Sequence, residues 1–71
     1  MSEVLEDAPT DEGDEIVVRA TVSRLLPVVS HPPEVVEAIV RDELVRRRAS
    51  ARIHAFVPIL TERAARRRLT P

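Results

Sequence analysis

The chain has 71 residues, a formal net charge of −1 and no cysteine. A chain of this length holds at most one small domain, and the absence of cysteine excludes disulfides, thiolate metal sites and thiol chemistry. Because a small core alone gives only marginal stability, self-association is the remaining common way to stabilise such a fold.

Nothing in the sequence marks a membrane or export segment. No apolar run approaches the roughly 18 residues that a membrane span needs. The acidic N-terminus also lacks the basic start and the apolar centre of a signal peptide. We therefore expect a cytoplasmic protein that has no membrane partner.

Charge is distributed unevenly along the chain. Residues 1–15 carry seven of the 12 acidic residues and no basic residue, whereas residues 16–71 carry the other five and all 11 arginines. This cationic part is compatible with a surface for nucleic acid or for an acidic partner. Arginines paired with carboxylates one helical turn away give the same composition without an external partner, and we favour this interpretation.

The N-terminal stretch, residues 1–13, contains the sole glycine and shows no hydrophobic period. Low hydrophobicity and charge of one sign predict a disordered acidic tail. Two roles are open for it. A solubilising tail is the interpretation that we favour, and the alternative is a segment that shields the basic part of its own or a neighbouring molecule.

The first helix is predicted over residues 14–26. Two acidic residues at its start suit the positive end of the helix dipole, and Pro27 disfavours α geometry in the residue before it. A β-strand over residues 16–22 is the alternative, but apolar and polar residues do not alternate there. The residues of this helix that we expect in the core are Val22 and Leu25.

The second helix is predicted over residues 33–48, with Pro33 at the first helical position. Its acidic residues precede its arginines, as the helix dipole favours. Three pairs have the i,i+4 spacing and orientation that stabilise a helix: Glu37–Arg41, Asp42–Arg46 and Glu43–Arg47. The expected core or interface residues of this helix are Val36, Ile39, Val40 and Leu44.

Glu43 falls near the middle of the apolar arc of this helix. The interpretation that we favour places it at the rim, where the carboxylate reaches water past an apolar neighbour. The alternative is an ion pair across an interface between chains, which would set the register there. The candidate residues for such a polar interface are Glu43, Arg47 and Arg63.

The third helix is predicted over residues 51–69, with Ser50 as its N-cap. Because Pro58 cannot donate a backbone hydrogen bond, a bend or a fresh start is expected there. The expected core or interface residues are Ile53, Phe56, Val57 and Leu60. Ile59 and Leu69 lie off this stripe and are candidates for a contact between chains.

No constellation of residues indicates catalysis, a metal or a cofactor. His31 and His54 have no second histidine at i+3 or i+4, and the serines have no recognisable nucleophile setting. A glycine-rich phosphate loop is impossible with one glycine. We therefore predict that the protein is not an enzyme and holds no cofactor or metal.

Two arginine triplets are candidates for anion contacts at the ends of the second and third helices. No aromatic platform accompanies them, and no short glycine-containing turn of a helix-turn-helix is present. Arginine in a last helical turn is also what the dipole favours. The residues concerned are Arg46, Arg47, Arg48, Arg66, Arg67 and Arg68.

Residues 31–69 contain a predicted amphipathic middle helix, a short linker and then Arg52-Ile53, Phe56-Val57-Pro58-Ile59-Leu60, Glu62-Arg63, Ala65-Arg66 and Leu69. In this pattern the sequence resembles a small bacterial three-helix-bundle dimerisation domain. That domain occurs as free-standing short proteins and as an N-terminal extension of some arsenate reductases of the low-molecular-weight tyrosine phosphatase type. The resemblance implies a homodimer of three-helix subunits. It implies no reductase or phosphatase activity, because the cysteine-containing phosphate loop is missing.

Together these features predict an all-α protein, a three-helix bundle in residues 14–71 that forms a homodimer and carries a disordered acidic tail. The predicted function is a non-enzymatic helical dimerisation or protein-interaction module. The alternative is a small nucleic-acid-binding regulator that uses the arginine clusters. A second protein that carries a related helical module is a further candidate partner.

Overall fold

The computed structural model describes the backbone of residues 11–71 and the side chains of residues 13–71. Three α-helices make up most of this part of the chain: α1 (Asp11–Leu25), α2 (Pro33–Ser50) and α3 (Val57–Leu69). Short 3-10 helices follow α1, at Leu26–Val28, and precede α3, at His54–Phe56. No strand occurs in the described residues, and each helix packs against the other two. The prediction of an all-helical chain with three helices is confirmed.

Contacts near the helix ends show that consecutive helices are antiparallel. Arg48, near the end of α2, pairs with Asp14, near the start of α1. At the other end, the Nε2–H of His31 donates to the carbonyl oxygen of Leu69 at 3.0 Å. His31 lies just before α2 and Leu69 ends α3, so α3 runs back towards the start of α2.

The first helix differs from its predicted bounds at both ends. It begins at Asp11, so residues 11–13 belong to α1 and not to a tail. The remainder of the predicted disordered tail, residues 1–10, lies outside the described residues. At the other end, α1 ends at Leu25 and is followed by the 3-10 turn that contains Pro27. Proline disfavours α-helical backbone geometry in the residue before it.

The second helix begins with Pro33 at its first turn, as predicted, and extends to Ser50. The prediction that Ser50 caps the third helix is wrong. Its hydroxyl donates to the carbonyl oxygen of Arg46 at 3.1 Å, one turn back in the same helix. A hydroxyl that donates to the preceding turn of its own helix does not cap the next helix.

Of the two outcomes predicted at Pro58, a bend or a fresh start, the third helix shows the fresh start. α3 begins at Val57, so Pro58 lies in the first turn, where its missing N–H removes no helical hydrogen bond. The prediction of a continuous helix from residue 51 is therefore wrong. Residues 51–53 form an extended connection, and the 3-10 turn His54–Phe56 precedes α3.

The core lies between the three helices and contains mostly small and branched side chains. Helix α3 contributes residues four apart, which form one stripe along its length. The two buried threonines of the described residues, Thr21 and Thr61, have hydroxyl oxygens with no hydrogen-bond partner, so they fill space in the core. The buried apolar residues are Val18, Leu25, Val36, Val40, Leu44, Val57, Ala65 and Leu69.

Three residues predicted in the core lie at the surface of the single chain. Ile53 is 57% exposed, Phe56 55% and Leu60 39%. The predicted apolar face assumed one helix from residue 51, but the chain is not α-helical before Val57. The side that meets α2 is instead the stripe containing the small residues Thr61 and Ala65. Val22 and Ile39, also predicted in the core, are partly buried against the core cluster. The prediction that Leu69 lies off the buried stripe is wrong, because Leu69 is only 4% exposed and belongs to the core.

The exposure of Phe56 predicts a contrast between two substitutions. Leu25→Ala should reduce the free energy of unfolding by about 2–5 kcal/mol, because Leu25 is fully buried. Phe56→Ala should change it by less than about 0.5 kcal/mol in a dilute, monomeric chain, because the ring is largely in water. Urea unfolding followed by circular dichroism measures both. Equal losses would show that Phe56 is buried within the single chain.

Candidate interaction surfaces

Arg41 joins α1 to α2. Its guanidinium donates to both carboxylate oxygens of Glu15, at 2.5 and 2.9 Å. It also contacts Glu37, one turn earlier in α2, at 2.8 Å, which confirms this predicted i,i+4 pair. The hydrogen bonds from Arg41 hold the pKa of Glu15 below its ordinary value. The same bonds raise the pKa of the Arg41 guanidinium, so the contact between the helices is charged on both sides at neutral pH.

Glu43 is buried between α2 and α3. Only 4% of the residue is exposed, and its Oε2 accepts a hydrogen bond of 2.8 Å from Nη1 of Arg68. Arg47 lies 3.4 Å from Oε1, as the i,i+4 spacing predicted. The interpretation that Glu43 reaches water at the rim is therefore wrong. In the single chain, the carboxylate joins α2 to α3 of the same subunit.

The first arginine triplet is engaged in ion pairs within the chain. Arg46 pairs with Asp42 at 3.1 Å, which confirms the third predicted i,i+4 pair. Arg47 lies beside Glu43, and Arg48 contacts Asp14 of α1. These three arginines were predicted as candidates for contacts with an external anion. In the structure each of them pairs with a carboxylate of the same chain.

The second arginine triplet is divided by the fold. Arg68 donates to Asp42 at 2.7 Å as well as to Glu43, and the hydrogen bond from Arg68 lowers the pKa of the Asp42 carboxyl. Arg66 and Arg67 are exposed and form no ion pair with a described residue, and the same is true of Arg63. Arg63, Arg66 and Arg67 border an open depression beside Thr70. We call these three residues the arginine surface.

A second surface is apolar and lies at the other end of α3. Four large aliphatic or aromatic side chains within residues 53–60 are exposed, and Ile59 is the most exposed of them at 59%. Ile59 and Leu60 lie off the buried stripe of α3, and the other two precede the helix. We call the set Ile53, Phe56, Ile59 and Leu60 the apolar surface.

The described residues present no arrangement for metal binding, because they contain no group of three or more His, Cys, Asp or Glu side chains that could hold an ion. His31 is used in the contact with the Leu69 carbonyl. No helix in the described part of the chain is long and apolar enough to span a membrane.

The burial of Glu43 predicts unequal effects of removing two arginines. Arg68→Gln leaves the buried Glu43 carboxylate with Arg47 at 3.4 Å but without the hydrogen bond from Arg68, and removing one partner of a buried ion pair is destabilising. Arg46→Gln removes an exposed i,i+4 pair and should cost about 0.5 kcal/mol or less. Urea unfolding should show a clearly larger loss for Arg68→Gln. Equal losses would mean that the Glu43 carboxylate has water or another partner.

The ion pairs of Glu15 and Asp42 predict a loss of stability in acid. Both carboxyl groups have a lower pKa in the folded chain than their ordinary values of 4.5 and 3.8. Their contribution to stability is therefore present above about pH 4.5 and is lost as the pH falls through the folded-state values. Arg41→Gln should make the fall of the thermal midpoint on acidification shallower, because Glu15 loses its partner. An unchanged slope would contradict this role of Arg41.

The chain matches no protein-family model, no curated protein and no solved structure. The resemblance to a dimerisation domain therefore depends on the residues that carry it, and association remains a proposal.

Proposed function

We propose that the protein is a non-enzymatic helical association module that forms a homodimer through the apolar surface. The observation that carries the proposal is the position of Phe56. This residue is the only aromatic residue of the chain, and more than half of it is exposed. An aromatic ring brings a large apolar area to a contact, so an exposed one in so small a fold is a candidate anchor.

The residues near Phe56 in the sequence favour the interpretation that this region is an interface and not a single exposed ring. Single apolar side chains at a surface are ordinary, but a contiguous stretch of them marks an interaction site. Ile53, Ile59 and Leu60 all expose substantial apolar area within the same short stretch. Meanwhile the core of the chain uses Thr61 and Ala65 at the positions where α3 meets its neighbours. The larger side chains of this segment thus remain available for a partner.

A second copy of the chain is the occupant that we favour. In a two-fold dimer the same patch lies on both subunits and must be self-complementary. An apolar patch meets this condition, because aliphatic and aromatic side chains pack equally well against their own kind. Residues 56–60 are also the part of the sequence that carries the resemblance to a dimerisation domain. A different protein with a related helical module would use the same surface and is the alternative partner.

Nucleic-acid binding is less well supported, because most of its candidate residues have carboxylate partners. Arg46, Arg47, Arg48 and Arg68 all form ion pairs within the chain. A duplex would have to contact the arginine surface alone or break pairs that join the helices. Few phosphate contacts mean weak, salt-sensitive binding.

Light scattering over a concentration series tests the homodimer. At high concentration the measured mass should be twice the 8.0 kDa of one chain. Phe56→Glu should raise the dissociation constant of the dimer at least tenfold. Val45→Glu is the matched control, because Val45 is 68% exposed on α2 and does not belong to the apolar surface. Circular dichroism checks that both variants keep their helix content.

The effect of added salt distinguishes association through apolar side chains from association through charged groups. The arginines that border the apolar surface, Arg52 and Arg63, occur in both copies, so added salt screens their mutual repulsion. The dimer should therefore persist or strengthen at high salt. A folded monomer at every concentration, or equal weakening by Phe56→Glu and Val45→Glu, would contradict the proposal.

A further inference from the structure

The arginines of the chain fall into two groups. Six of the 11 form ion pairs with carboxylates of the described residues, and they connect all three helices. The other five form no ion pair with a described residue, and three of these five make up the arginine surface. The five are Arg19, Arg52, Arg63, Arg66 and Arg67.

The carboxylates can likewise be grouped by whether they form an ion pair within the described residues. Among the acidic side chains of residues 13–71, all except Glu34 take part in an ion pair. Glu34 lies in the first turn of α2, where the helix dipole favours a negative charge. The remaining acidic residues all precede residue 13, namely Glu3, Glu6, Asp7, Asp11 and Glu12. Residues 3–12 thus hold five of the 12 acidic residues of the chain and no basic residue.

We propose that the acidic segment at residues 3–7 binds the arginine surface of its own chain. Glu3, Glu6 and Asp7 supply three carboxylates for the three guanidinium groups. Arg63, Arg66 and Arg67 have the spacing i, i+3 and i+4, so their side chains are neighbours on one side of α3. A run of acidic residues without an intervening basic residue matches such a cluster in sign and in number.

The positions of the helix ends put this surface within reach of the segment. The start of α1 lies at the end of α2, because Asp14 contacts Arg48. Only residues 51–56 separate the end of α2 from the start of α3, so α1 and α3 begin at the same end of the molecule. The arginine surface then lies about 9–15 Å along α3 from its first residue, at 1.5 Å per residue.

The segment is long enough to cover that distance. An extended chain spans at most about 3.5 Å per residue, so Asp7 can lie up to about 14 Å from Asp11 and Glu3 up to about 28 Å. Because segment and surface belong to one chain, their binding is intramolecular and benefits from a high effective concentration. Bound in this way, the segment would occupy the arginines that remain for an external polyanion.

A spin label attached near the segment tests the proposal. Because the chain has no cysteine, Ser2→Cys provides a unique attachment site for a nitroxide. At low salt the label should broaden the amide signals of residues 63–67. The broadening should be lost in a variant with Arg63→Gln, Arg66→Gln and Arg67→Gln, and in about 1 M salt, where screening is strong. Arg19→Gln with Arg52→Gln is the matched control and should retain it.

Three results would overturn the proposal. One is the absence of broadening at residues 63–67 at low salt, or its persistence when the three arginines are replaced. The second is broadening that appears in a mixture of labelled and isotope-enriched chains, because the segment would then occupy a second copy. The third is a change in the chemical shifts of the residue 63–67 amides when a duplex oligonucleotide is added to a chain that shows no broadening. That result would assign the surface to nucleic acid.

Discussion

The buried contact between Glu43 and Arg68 is the constraint on which the arrangement of α2 and α3 depends. A carboxylate withdrawn from water is tolerated only with a cation or hydrogen-bond donors beside it, and Arg68 supplies both from the neighbouring helix. This requirement favours one rotation and one register of α3 against α2. In that rotation the stripe from Val57 to Leu69 faces the core, and Phe56 and Leu60 do not.

The same contact explains why α3 carries two different surfaces. Small residues at Thr61 and Ala65 allow the helix to lie close to its neighbours, so the larger apolar side chains near its start stay outside. Near its end, Arg68 pairs with α2, whereas Arg66 and Arg67 are exposed and pair with no carboxylate of residues 13–71. The exposed apolar side chains and the exposed arginines thus lie at different ends of one helix, and contacts made through them should respond to salt in opposite directions.

Ion pairs in this fold act mainly as connections between helices. Arg41 and Arg48 reach from α2 to α1, Arg24 reaches from α1 to Glu62 of α3 at 2.8 Å, and Arg68 completes the triangle. Most of these groups are partly exposed, so each pair by itself adds little to stability. Together they pair six of the 11 arginines, and the arginines that have no ion pair with a described residue are Arg19, Arg52, Arg63, Arg66 and Arg67.

The sequence by itself determined the features that depend on residues close in the chain. The three helices, the start of α2 at Pro33, the fresh start at Pro58 and the i,i+4 pairs of α2 are all set by local geometry and the helix dipole. Only the tertiary structure decided which side of α3 faces the core and which arginines keep a free charge. Those outcomes depend on carboxylates more than 20 residues away, such as Glu43 for Arg68, which periodicity within one helix cannot detect.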